Sequence, residues 1–117
     1  MKNATLYGIP NCDTVRKARK WLSDNGIAYD FVDLRTDTPS RERVNGWLTS
    51  VGSQQLINRR SATYKQLSDS DRGKLDTPDA TAVLLAHPTL IKRPVLEWQD
   101  TVSVGFIAND FAQRFAI

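Results

Sequence analysis

The chain has 117 residues, 40% of them hydrophobic and 25% charged, with a net charge of +3. That size supports one domain with a single core, and no apolar run approaches the roughly 18–20 residues that span a bilayer. One cysteine and one histidine exclude an internal disulfide and any familiar zinc spacing, and basic residues dispersed among acids leave no aromatic–basic stripe for nucleic acid. The small positive excess suits anionic small molecules or an acidic partner surface. Met1 to Leu6 carries no signal-peptide core, which points to a cytoplasmic protein with no membrane partner.

In chain order, Thr5, Leu6 and Tyr7 favour an extended backbone that Gly8 and Pro10 break. Val15, Ala18 and Leu22 then recur at helical spacing until Asn25-Gly26 supplies a stop. Ala28 to Leu34 reads as a second strand, so the opening is strand–helix–strand, the pattern of a parallel sheet. Ser40 is a plausible N-cap for a helix carrying Val44, Trp47, Leu48 and Val51. From Gly52 to about Pro88 no strand is evident. Ser53 to Asn58 looks turn-like, Thr63–Leu67 and Asp69–Leu75 suggest short helices, and Pro78-Asp79-Ala80 starts another. Val95 to Trp98 and Thr101 to Val104 alternate around Gln99-Asp100, a two-residue hairpin turn. Phe111, Ala112 and Phe115 give a closing helix one apolar face. The plan β-α-β, helical middle, β-β-α is that of an α/β, thioredoxin-like mixed sheet. A single domain over 1–117, with a helical insertion at about 38–90, is the expected organisation.

Cys12 falls where the first strand hands over to the first helix. A thiol there faces unpaired backbone N–H groups and the positive end of the helix dipole, with Arg16, Lys17 and Arg19 in the next two turns. These favour the thiolate, the nucleophilic form. Trp21, Trp47 and Trp98 fall on or beside apolar faces and read as core or partner-facing, and His87 reads as structural.

Three segments together resemble the arsenate reductase (ArsC)/Spx family: Leu6-Tyr7-Gly8-Ile9-Pro10-Asn11-Cys12-Asp13-Thr14, Leu56-Ile57-Asn58-Arg59-Arg60-Ser61-Ala62-Thr63-Tyr64, and His87-Pro88-Thr89-Leu90-Ile91-Lys92-Arg93-Pro94-Val95. The Cys-Asp-Thr turn and Val104-Gly105-Phe106 look most like the YffB branch, described as glutathione-dependent thiol reductases. The resemblance implies Cys12 as nucleophile, Arg60 and Arg93 as anion-binding arginines and Pro94 as the proline of a cis-proline loop. Asn11 and Thr14 join them as candidate substrate or thiolate contacts, and Arg59 is left to surface solvation.

Two departures bear on activity. Family arsenate reductases use a third arginine near the last strand–helix junction, where Val102 to Ile107 has none, and Asp13 stands where they carry glycine. Spx regulators carry a Cys-x-x-Cys switch, and here Val15 fills the second position. The expectation is therefore a glutathione-dependent thiol–disulfide reductase, with no tightly bound cofactor or metal and with glutathione as co-substrate. The alternatives are a glutaredoxin-coupled arsenate reductase, acting on an oxyanion, and an Spx-like regulator binding the RNA polymerase alpha subunit.

Overall fold

The β-forming run at the start of the chain makes strand β1, Ala4–Gly8, and the apolar stripe that follows makes helix α1, Asp13–Asp24. Val15, Ala18 and Leu22 are buried along α1, as an amphipathic helix on a sheet requires. The structure is a computed structural model describing residues 3–116; Met1, Lys2 and Ile117 lie outside that description. Strand β2, Tyr29–Asp33, pairs parallel to β1, with Leu6 opposite Phe31 and Gly8 opposite Asp33.

Gly8 sets how closely α1 approaches the sheet. A Cβ at that position would lie 2.7 Å from Val15 Cγ2, and Val15 is fully buried. Gly8→Ala therefore forces a packed β-branched side chain to move. We expect a loss of about 1–3 kcal/mol in stability, read by urea denaturation; an unchanged midpoint would show that α1 shifts freely.

Five helices follow: α2 (Arg41–Val51), α3 (Ser53–Leu56), α4 (Ala62–Gln66), α5 (Asp69–Lys74) and α6 (Ala80–Ala86). Ser40, Ser61 and Ser68 cap α2, α4 and α5, each hydroxyl accepting a backbone N–H three residues on at 3.1 Å. Helix α2 packs on α6, with Val44 and Trp47 buried on one and Val83 and Leu84 on the other. Helix α6 ends where His87 donates its N–H to Val83 O at 2.9 Å, and Pro88–Leu90 makes a single 3₁₀ turn.

Two expectations for this stretch need correction. Ser53 to Asn58 is not a simple turn: it forms α3, and Ile57 then bridges Ile91, with Asn58 N–H donating to Leu90 O at 2.8 Å and Lys92 N–H to Leu56 O at 2.7 Å. Partners more than thirty residues away fix that geometry, so no local pattern announces it. Arg59 is not solvating surface either. Its Nη2 donates to Asp76 Oδ1 at 2.8 Å, and Ser53 Oγ donates to the same oxygen at 2.9 Å. The Ser53 hydroxyl, with the Arg59 guanidinium beside it, holds the Asp76 carboxyl below the usual carboxylate range.

A lowered native value means that this carboxylate stabilises the fold above the unfolded value of about 4 and stops doing so as pH falls through the native one. Asp76→Asn should accordingly lower the thermal midpoint at pH 7, and the difference from the parent should fade in acid. An equal deficit at both ends would assign the effect to lost hydrogen-bond geometry instead.

The chain closes with β3 (Val95–Trp98), β4 (Thr101–Val104) and α7 (Ala108–Arg114). The sheet order is β2-β1-β3-β4, with β3 antiparallel to both neighbours. Gln99 and Asp100 turn the hairpin with φ of 49° and 62°, the pair of left-handed residues that a type I′ turn demands. This is the β-α-β then β-β-α order of the thioredoxin-like fold. Residues 3–33 with 93–116 form one compact unit, and Leu34–Lys92 form the other. The core of the first gathers Ala4, Leu6, Ala18, Leu22, Leu96 and Phe111, with Trp21 and Trp98 packed against it. Trp47 is buried in the second. Among the described residues no helix is long and apolar enough to cross a membrane.

Candidate active site

Strand register brings three segments of the sheet unit to one edge. The β1–β3 ladder ends where Tyr7 faces Val95, with Gly8 and Pro94 each the next residue along. In the β3–β4 ladder Val95 faces Val104, which sets Pro94 opposite Gly105; the Gly105 N–H donates to Pro94 O at 2.9 Å. Gly8 faces Asp33 on β2, so Asp33, Gly8, Pro94 and Gly105 all lie at, or one residue beyond, the same end of the sheet. From it the chain continues through Ile9, Pro10 and Asn11 to Cys12.

Cys12 is the N-cap residue of α1, with φ −107° and ψ 125°. Its N–H donates to Ile9 O at 3.4 Å and its C=O accepts from Arg16 N–H at 2.9 Å. Its thiol is half-buried, and the side chain makes no cap hydrogen bond. The first turn of α1 therefore begins at the residue that carries the thiol, and its unpaired backbone donors have no side-chain cap. Asn11, exposed and one residue earlier, is not the cap. Thr14 is exposed in the first turn, and its hydroxyl makes no hydrogen bond among the described residues.

Arg93 is half-buried immediately before Pro94, which is buried, and the Arg93–Pro94 peptide is cis. Arg93 lies two residues before β3, at the end of the sheet where β1 runs out into the cysteine loop. Arg60 belongs to the Leu34–Lys92 unit. It is exposed just before α4, its N–H donates to Asn58 Oδ1 at 3.1 Å, and its guanidinium makes no ion pair among the described residues. Cys12, Asn11, Thr14, Arg93 and Pro94 thus share the sheet unit, and Arg60 stands in the helical one.

Asp13, in the first turn of α1, accepts a hydrogen bond at Oδ1 from Arg16 Nη1 at 2.8 Å. Both side chains of that ion pair are exposed. The sequence reading counted Arg16 only as a nearby cation; opposite charges three residues apart on a helix are the signal for the pair. At the β4–α7 junction Gly105 has φ 79°, Phe106 packs edge-on against Phe111 with ring centroids 4.8 Å apart, and Ile107 is 69% exposed. That corner holds no cation of its own.

Comparison with known proteins agrees with this architecture. The ArsC family model matches residues 7–113. A protein of Haemophilus influenzae is 38% identical over 112 residues, covering 96% of this chain and 98% of its own length. The global transcriptional regulator Spx of Streptococcus pyogenes is 30% identical over 104 residues, covering 87% of this chain and 77% of the regulator. A solved structure of a YffB protein superposes with a TM-score of 0.90 at 39% identity, over 95% of this chain and 97% of that one.

Proposed function

Because the chain belongs to the ArsC family, we propose that it is a single-cysteine thiol–disulfide oxidoreductase with glutathione as its second thiol. One observation carries the reading: the half-buried thiol at the head of α1 belongs to the only cysteine in the chain. The Cys12 thiolate attacks the glutathionyl sulfur of a glutathione mixed disulfide. A new S–S bond forms as the old one breaks, and the departing thiolate takes up a proton. With no resolving cysteine in the chain, a glutathione thiolate from the cytoplasm attacks the mixed disulfide, releasing Cys12 and oxidised glutathione. Arg93 is the candidate partner for a carboxylate of the peptide, since a guanidinium binds a carboxylate through two parallel hydrogen bonds, and Arg60, in the helical unit, is a second candidate anion-binding arginine. Asn11 and Thr14 supply neutral contacts around the sulfur. Neither a metal nor a resident cofactor enters the reaction.

Arsenate reduction uses the same thiolate, with glutaredoxin as the coupling partner. It asks for more fixed positive charge around the developing oxyanion, and Val102 to Ile107 contributes none. Losing one well-placed charge-stabilising group costs about 10²–10³ in rate. Turnover measured side by side, with arsenate and with a glutathione mixed disulfide, each coupled to glutathione reductase, should therefore favour the disulfide by at least about 10². Robust arsenate turnover with no activity on the disulfide would invert the assignment.

The 30% identity to Spx favours a second reading of another class, a regulator that binds the RNA polymerase alpha subunit. Its test is retention of this chain on the polymerase alpha C-terminal domain. A Cys-x-x-Cys switch has no place in it, because Val15 fills the second position and is buried against Gly8.

A further inference from the structure

Of the two outer strands of the sheet, one is guarded by charge and the other is not. β2 carries Asp30 and Asp33, and the Arg19 guanidinium lies over its Phe31 ring at 4.1 Å, so a second copy of that edge would set carboxylates against carboxylates. β4 reads Thr101-Val102-Ser103-Val104, with no charge, proline or glycine, and β3 is its only strand neighbour among the described residues. The Gly105 N–H donates to Pro94 O at 2.9 Å, which fixes the phase of the β3–β4 ladder. Thr101 and Ser103 turn their backbone groups toward β3, whereas Val102 and Val104 turn theirs outward. Ser103, between them, is 6% exposed, and its hydroxyl makes no hydrogen bond among the described residues. A buried polar atom of that kind calls for a partner. Three residues beyond Val104, Ile107 is the one large apolar side chain left exposed among the described residues.

We infer that β4 pairs antiparallel with β4 of a second copy of this chain, about a two-fold axis at Ser103. Val102 then faces Val104 of the other copy, and the outward N–H and C=O groups of each strand are taken up by those of its mate. The two Ser103 residues meet at a position without backbone hydrogen bonds, where Cα atoms stand about 4.5 Å apart. A turn about χ1 joins their hydroxyls there, as in other cross-strand serine and threonine pairs. An uncharged strand is complementary to itself, and the pairing makes one continuous sheet from two. The axis sends the Pro94 ends of the two sheets in opposite directions, so the inferred interface is separate from the thiol chemistry.

Sedimentation equilibrium from micromolar to millimolar protein should show a reversible monomer–dimer transition, with amide exchange at Val102 and Val104 slowing as the dimer fills. Charged pairs then read the register. Val102→Lys with Val104→Lys sets lysine against lysine twice across the axis and should weaken association about tenfold. Val102→Lys with Val104→Glu sets lysine against glutamate twice and should restore association to within about threefold of the parent. Both double variants put two charges at the same half-buried positions, so a general loss of folding would strike them alike. Ser103→Ala removes a hydroxyl that the single chain leaves without a hydrogen bond, and should weaken association about threefold. Asp30→Asn, on the opposite edge, should leave it unchanged. A chain that stays monomeric throughout, or two double variants that associate equally, would overturn the inference. Slowed exchange at the same amides on adding an uncharged extended peptide, with no dimer at any concentration, would also overturn it and give the edge to a segment of another protein.

Discussion

Cys12→Ser is expected to abolish glutathione-linked disulfide turnover while leaving the fold intact. A serine hydroxyl stays protonated at neutral pH and forms no stable bond to sulfur, so nothing in the chain can carry the glutathionyl intermediate. Removing a nucleophile from sites that act through one typically costs on the order of 10⁴–10⁶ in rate, and with no second cysteine there is no detour. The side chain is half-buried and caps no backbone donor, so the near-isosteric change should leave the unfolding midpoint close to that of the parent. Activity that survives in Cys12→Ser would take the chemistry away from the thiol altogether.

Phe111→Ala should be the most damaging change to the fold. Phe111 is fully buried on α7 and meets three other rings: Trp21 at 5.6 Å, Phe106 at 4.8 Å and Phe115 at 6.2 Å between centroids. It thereby ties the last helix to α1 and to the β4–α7 junction. Truncating such a ring leaves a cavity its neighbours close only in part, at a cost of about 3–5 kcal/mol. Against a total of about 5–15 kcal/mol for an ordinary domain, that is a large fraction. Urea denaturation of the variant checks it, and a loss below about 1 kcal/mol would mean that the aromatic cluster repacks easily. Because α7 follows directly from Gly105 and Phe106, the variant should also disturb the sheet edge that carries Pro94.

The sheet unit was legible from short-range signals. Val15, Ala18 and Leu22 spell out α1, the alternation about Gln99-Asp100 gives the hairpin, and Gly8 with Pro10 marks the break before Cys12. Ser40 was readable as a cap because capping is a matter between residues three apart. What stayed hidden depends on distant partners. α3 and the Ile57–Ile91 bridge form because the chain returns to them after a long excursion, and Arg59 finds Asp76 seventeen residues on. Within the site, the position of Cys12 at a helix head could be read directly, whereas the cis peptide before Pro94 came only through family resemblance. The Asp13–Arg16 pair was readable only as a spacing, since opposite charges three residues apart on a helix leave open whether they meet.

The central claim is that Cys12 alone carries a glutathionyl group through a covalent, reversible intermediate. Its most direct test is the intact mass of the protein after exposure to oxidised glutathione and again after reduced glutathione. The expected result is a gain of one glutathionyl unit, mapped by peptide fragmentation to Cys12, absent in Cys12→Ser and removed by reduced glutathione. A thiol that stays unmodified under conditions where an ordinary alkylating agent modifies it fully would contradict the account.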